Sequence, residues 1–87
     1  MQKTVKLNIE WANDEIFGML SDLEIINIII NDFNEINDKY GNVIKLLKID
    51  CLCENGGWPY IDVEANYDYI LNEYFYGEVE LLNECLI

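Results

Sequence analysis

The chain has 87 residues, 52% of them hydrophobic, which suits one small domain with a packed core and is too apolar for a disordered segment. Its net charge is −12, from 17 acidic residues against five lysines, with no arginine and no histidine. That balance excludes direct nucleic-acid binding and attachment to anionic membranes, because both need cations.

Residues 3–11 place Val5, Leu7, Ile9 and Trp11 on one face and Lys6, Asn8 and Glu10 on the other, the alternation of a half-buried strand. This opening stretch lacks the uninterrupted apolar run of a signal peptide. The longest apolar run, Ile28 to Ile30, is too short to cross a bilayer, so a cytoplasmic protein is expected. Residues 12–20 read as a connector.

Ser21 and Glu24 then form the S-x-x-E pattern of a capping box, with Leu20 placed to staple against Ile25. Leu23, Ile26, Ile30, Phe33 and Tyr40 follow helical spacing, with Ile29 and Ile36 widening the stripe. Lys39 suits the negative end of the helix dipole, and Gly41 offers a left-handed stop.

Residues 43–54 predict a second strand, Asn55-Gly56-Gly57 a turn, and Trp58 to Ala65 a third strand. Asn66 is placed to cap a second helix carrying Tyr67, Ile70, Leu71, Tyr74 and Phe75, ended by Gly77. Val79, Leu81, Cys85 and Ile87 resume alternation, which predicts a last strand; a short helix is the alternative. Residues 1–87 thus read as a single α+β domain in β-α-β-β-α-β order, the ferredoxin-like split βαβ pattern, with two helices on one face of an antiparallel sheet. Such a sheet leaves an edge strand through which a homodimer can form.

Catalytic chemistry has little to draw on. One serine, one threonine and no histidine leave no nucleophile–base pair, and there is no P-loop or G-x-G-x-x-G. Three cysteines without histidine fall short of a structural zinc set, so Cys51, Cys53 and Cys85 read as free, mostly buried thiols. Asn13, Glu15, Gly18 and Glu24 fall at calcium-loop spacings, but Phe17 occupies a ligand position, and Glu24 is better explained as a cap. No cofactor, no metal site and no enzymatic activity are expected; a small enzyme or metal protein is the least favoured alternative.

What remains is an acidic, aromatic surface. Residues 58–80 hold Asp62, Glu64, Asp68, Glu73, Glu78 and Glu80 among seven aromatics, and from Ile49 onward there are nine acids and no base. Asp62 and Glu64 lie on one side of their strand, about 6.5–7 Å apart. That is close to the roughly 7 Å between neighbouring phosphates on one DNA strand, and Glu78 and Glu80 repeat it if the last segment is a strand. Trp58, Tyr60, Tyr69 and Tyr76 lie off the predicted apolar faces or at their edges, and Tyr and Trp are favoured interface anchors. A solvated face explains any single carboxylate equally well. It explains the second half as a whole less well, because self-repulsion there has no predicted internal relief. On that basis, reversing Asp62 and Glu64 is expected to weaken partner binding and leave the fold intact, or slightly stabilise it by relieving self-repulsion.

On its length, net charge, missing arginine and histidine, and the stretch from Trp58 to Glu80, the chain resembles the small acidic inhibitors of phages and mobile elements, such as anti-CRISPR and anti-restriction proteins. The resemblance is one of class and carries no family motif. It implies a stoichiometric inhibitor that occupies the nucleic-acid site of a basic partner, a nuclease or CRISPR effector, by imitating phosphates. Small acidic immunity or antitoxin-like proteins that bind a basic toxin, and acidic interaction adaptors, look similar for the same physical reason.

Overall fold

The computed structural model describes residues 3–16, 20–51 and 57–87. The end of the predicted second strand, the Asn55-Gly56 turn, Cys53 and the Cys51 side chain lie outside the described residues, as do Phe17 and Gly18 of the connector. Strands β1 (Thr4–Glu10), β2 (Ile44–Cys51) and β3 (Tyr60–Asn66) form an antiparallel sheet in the order β1-β3-β2. With β3 antiparallel to both neighbours, β1 and β2 run parallel, joined by the crossover helix α1 (Asp22–Tyr40). This is the split βαβ arrangement.

The alternation sorts as physics requires. Leu7, Ile9, Ile61, Val63 and Ala65 point to the helix-covered face and are buried, while Lys6, Asn8, Asp62 and Glu64 point to the open face. Pro59 sits just before β3, where its missing N–H removes no ladder bond, and its carbonyl accepts from the Trp11 N–H at 2.8 Å.

The α1 boundaries follow from the sequence. The Ser21 side chain accepts from the Glu24 N–H and the Glu24 carboxylate accepts from the Ser21 N–H, a complete capping box; Gly41 stops the helix in the left-handed region. The buried stripe keeps Ile29 and Phe33 of the predicted one but is rotated toward Ile25. Ile25, Ile29 and Phe33 face the sheet, whereas Leu23 is 67% exposed and Ile30 and Tyr40 are also exposed. Five isoleucines within residues 25–30 make the helix apolar nearly all round, so spacing alone does not set its phase. Contact with β2 sets it. Asn37 fixes that contact: its amide donates to the Ile44 carbonyl and its oxygen accepts from the Val43 and Ile44 N–H groups.

Helix α2 (Tyr67–Glu73) is capped by Asn66, which accepts from the Tyr69 N–H at 3.0 Å. The chain then turns through Tyr76 and Gly77, both at positive φ. The predicted last strand is a helix, α3 (Val79–Glu84), which buries Leu82 completely and leaves Val79 and Leu81 exposed. Leucine and glutamate favour the helix, and its one buried leucine completes the core beside Ile70 and Phe75. The strand survives as one antiparallel bridge, Leu86 to Leu7, on the outer edge of β1, where the fourth strand of the predicted fold would lie. The Asn8 N–H donates to the Cys85 carbonyl, and the Ile87 N–H to the Lys6 carbonyl.

The opposite edge, β2, is the one a second copy would pair with. Register irregularities between Leu46 and Lys48 and between Ile49 and Cys51 break its regularity, and it carries Lys45 and Lys48. Bulges and edge lysines are features by which sheets resist strand addition. No helix among the described residues is long and apolar enough to cross a membrane.

Candidate partner-binding surface

The open face of the sheet changes the meaning of Asp62 and Glu64. Both lie on the middle strand and face the same side, as expected. Register places Glu64 between Lys6 on β1 and Lys45 on β2, and Asp62 between Asn8 and Lys48. The Asn8 amide donates to the Asp62 carboxylate at 2.7 Å and lies 3.3 Å from Asp50, and Lys48 stands 3.9 Å from Asp50. The counter-charge that seemed missing is in the first half of the chain, brought alongside by strand pairing. Cross-strand pairs of this kind contribute roughly 0.2–1 kcal/mol each. These two carboxylates therefore belong to a mixed-charge sheet face and do not form a bare anionic ladder.

Two of the predicted aromatics are structural. The Trp58 indole N–H donates to the Asn13 carbonyl at 3.1 Å, and its ring packs against the core. Tyr69 is half-buried, its ring 5.0 Å from that of Tyr40, and burial, then Tyr40 and Glu73, push its hydroxyl above the usual tyrosine range. Asn13 also donates to Asp32 at 2.6 Å and accepts from the Glu15 N–H, while Glu24 closes the capping box, so neither waits for calcium. Among the described residues no three His, Cys, Asp or Glu side chains converge as metal ligands. Cys85 carries a free, half-buried thiol, which burial and then Glu84 raise above its ordinary value.

The remaining acids and aromatics converge on a groove of about 730 Å³ between the end of β1 and the α2–α3 corner. Its floor is aromatic, with Trp11 and Phe75 buried and Tyr74 half-buried. Trp11 stacks on Tyr74 at 6.3 Å and meets Phe33 edge-on at 4.8 Å, and Tyr74 meets Phe75 edge-on at 4.7 Å. Asp32 holds the Trp11 indole N–H at 2.9 Å, and the Tyr74 hydroxyl donates to the Glu10 carbonyl. Burial, and after it Cys85, Glu10 and Tyr60, push that hydroxyl up to about 12, so it stays a neutral donor.

The groove also takes in four carboxylates, Glu10, Glu73, Glu78 and Glu84, and no lysine. Tyr60 and Tyr76 stand beside them. Of the predicted site residues, the structure brings Tyr60, Glu73, Tyr76 and Glu78 together here. Asp68, on the first turn of α2, and Glu80, on the first turn of α3, are exposed outside it, and the helical tail removes the Glu78–Glu80 strand spacing. Glu10, Trp11, Tyr74, Leu81 and Glu84 line the groove without having been singled out. Nothing local marks Glu10 and Trp11, because their partners lie at the other end of the sequence.

The lysines are elsewhere. Lys6, Lys45 and Lys48 lie on the open sheet face, Lys3 sits over the Tyr67 ring at 4.7 Å, and Lys39 over the Tyr40 ring at 5.1 Å. Three of the five lysines lie on the sheet, Lys39 shares a neighbouring groove with Glu73, and among the described residues no ion pair reaches the acids of α2 and α3. No family model, curated protein or solved structure matches the chain.

Proposed function

We propose that this protein is a stoichiometric inhibitor that binds a basic, nucleic-acid-handling protein, a nuclease or CRISPR effector, through the α2–α3 groove and the acids around it. One observation carries the reading: the groove joins four carboxylates and exposed aromatics with no cation in its lining, while three of the five lysines lie on the sheet face and the nearest, Lys39, lies in the adjoining groove on the far side of Glu73. Charge kept unpaired in the protein is available to lysines and arginines of a partner, and the aromatics supply apolar contact area. Phosphate imitation then falls to Glu73, Glu78 and Glu84, with Asp68 and Glu80 contributing long-range attraction; Asp62 and Glu64 are left to the sheet. The acidic field speeds association and makes it salt-sensitive.

The test is affinity capture from a host lysate with mass spectrometry, followed by competition with the captured protein's own DNA or RNA. A captured basic nucleic-acid enzyme, displaced by its substrate, supports the reading. A basic partner that nucleic acid does not displace points to immunity-type binding. A partner without a basic surface refutes both.

A further inference from the structure

The groove's shape and chemistry specify more than positive charge. Tyr76 is 85% exposed and sits at φ 53°, in the left-handed region that a bulky side chain enters only with strain. Among the described residues it joins no core cluster, makes no ring contact and has no hydrogen-bond partner. The fold gains nothing from a tyrosine there that a glycine would not supply better. Gly77 follows at φ 83°, and the exposed Tyr76 side chain lines the groove together with Glu73 and Glu78. Behind it lie the buried Trp11 and Phe75 and the exposed Leu81.

Resting on the reading above that the partner is basic, we propose that this groove is an arginine-selective docking site for an arginine-bearing segment of the partner, with Tyr76 as the stacking platform. An ammonium ion is compact and strongly hydrated, and a groove with an aromatic floor strips that hydration at a cost. A guanidinium is planar and weakly hydrated, stacks on aromatic faces, and offers paired N–H donors that match a carboxylate. Here the aromatic faces and the carboxylates stand side by side. Leu81 adds an apolar shelf for a neighbouring side chain of the same segment. Charge complementarity thus selects a cationic occupant, and the aromatic floor selects arginine over lysine.

The test uses the whole protein and short blocked peptides alternating arginine, lysine or glutamate with leucine, measured by calorimetry and by amide chemical shifts. The arginine peptide should bind at least about threefold tighter than the lysine peptide, with shifts centred on Tyr76, Glu78 and Leu81. Tyr76→Gly should retain or raise the melting temperature and abolish the preference for arginine, which a purely structural tyrosine would not do. Glu73→Gln with Glu78→Gln should weaken both cationic peptides. Equal binding of the arginine and lysine peptides, or an arginine preference that survives Tyr76→Gly, overturns the inference and leaves the basic-partner reading standing. If neither cationic peptide binds better than the glutamate peptide, both fall.

Discussion

Reversing two carboxylates in the sheet and two in the groove should have opposite consequences. Take Asp62→Lys with Glu64→Lys first. Asp62 loses the charge-assisted hydrogen bond from Asn8, formed at 2.7 Å. Such bonds contribute about 1.5–3 kcal/mol, and the half-exposed setting favours the lower end. The new lysines also face Lys6, Lys45 and Lys48 across the strands, turning attractive neighbours into repulsive ones at roughly 0.2–1 kcal/mol each. The total is about 2–4 kcal/mol. Relief of part of the net charge of −12 acts the other way, but it is long-range and screened at physiological salt, where the Debye length is about 8 Å. For a domain of this size the melting temperature should fall by roughly 10–25 °C. Glu73→Lys with Glu78→Lys breaks no side-chain hydrogen bond among the described residues; a cation is favoured at Glu73 in the last turn of α2 and disfavoured at Glu78, the N-cap of α3, and the two effects offset. Its stability should stay within about 0.5 kcal/mol of wild type, while affinity for the captured partner drops at least about tenfold, since partly desolvated charge pairs couple by about 1.5 kcal/mol or more. Thermal melts by circular dichroism and a binding titration measure both. A sheet reversal that melts at or above the wild-type temperature would show that strand pairing does not neutralise these acids. A groove reversal that binds like wild type would remove the groove from the interface.

Three further outcomes check the fold and the site. Ile29→Ala should cost about 2–5 kcal/mol in denaturant unfolding and Leu23→Ala almost nothing, since Ile29 is fully buried and Leu23 is not; the reverse ranking would restore the stripe predicted from spacing. Ser21→Ala should cost about 1 kcal/mol through the lost capping box, and Glu24→Ala part of that, by the same assay. Tyr74 is raised in the folded protein from 10 to about 12. Its neutral form is the one that folding favours, so its contribution is fully present below pH 10 and is lost as pH climbs toward 12. Melts across that window should show a fall in stability that is smaller in Tyr74→Phe; an unchanged pH profile would mean that burial does not hold the hydroxyl in its neutral form.

Much of this protein was legible without coordinates, because much of it is local. Alternation in residues 3–11 and 60–66, the Ser21–Glu24 box, the Gly41 stop and the Asn66 cap each depend on neighbours within about one helical turn or one pleat, and that spacing is written in the chain. The α+β class followed from their order. Composition likewise set the acidic character and the absence of any histidine- or arginine-based chemistry. What the tertiary structure decided was long-range. The sequence stripe held Ile29 and Phe33, but isoleucine surrounds that helix, and only packing on β2 chose Ile25 over Leu23, Ile30 and Tyr40. The tail alternates like a strand yet folds as a helix, because Leu82 fills the core beside Ile70 and Phe75 and the chain meets the β1 edge at a single bridge. Above all, register paired Glu64 with Lys6 and Lys45, and folding set Glu10 and Trp11 beside Glu73, Tyr76 and Glu78. A side chain's charge is carried by its own residue, but whether that charge is neutralised depends on which distant strand lies about 5 Å away, and spacing along one strand does not specify that.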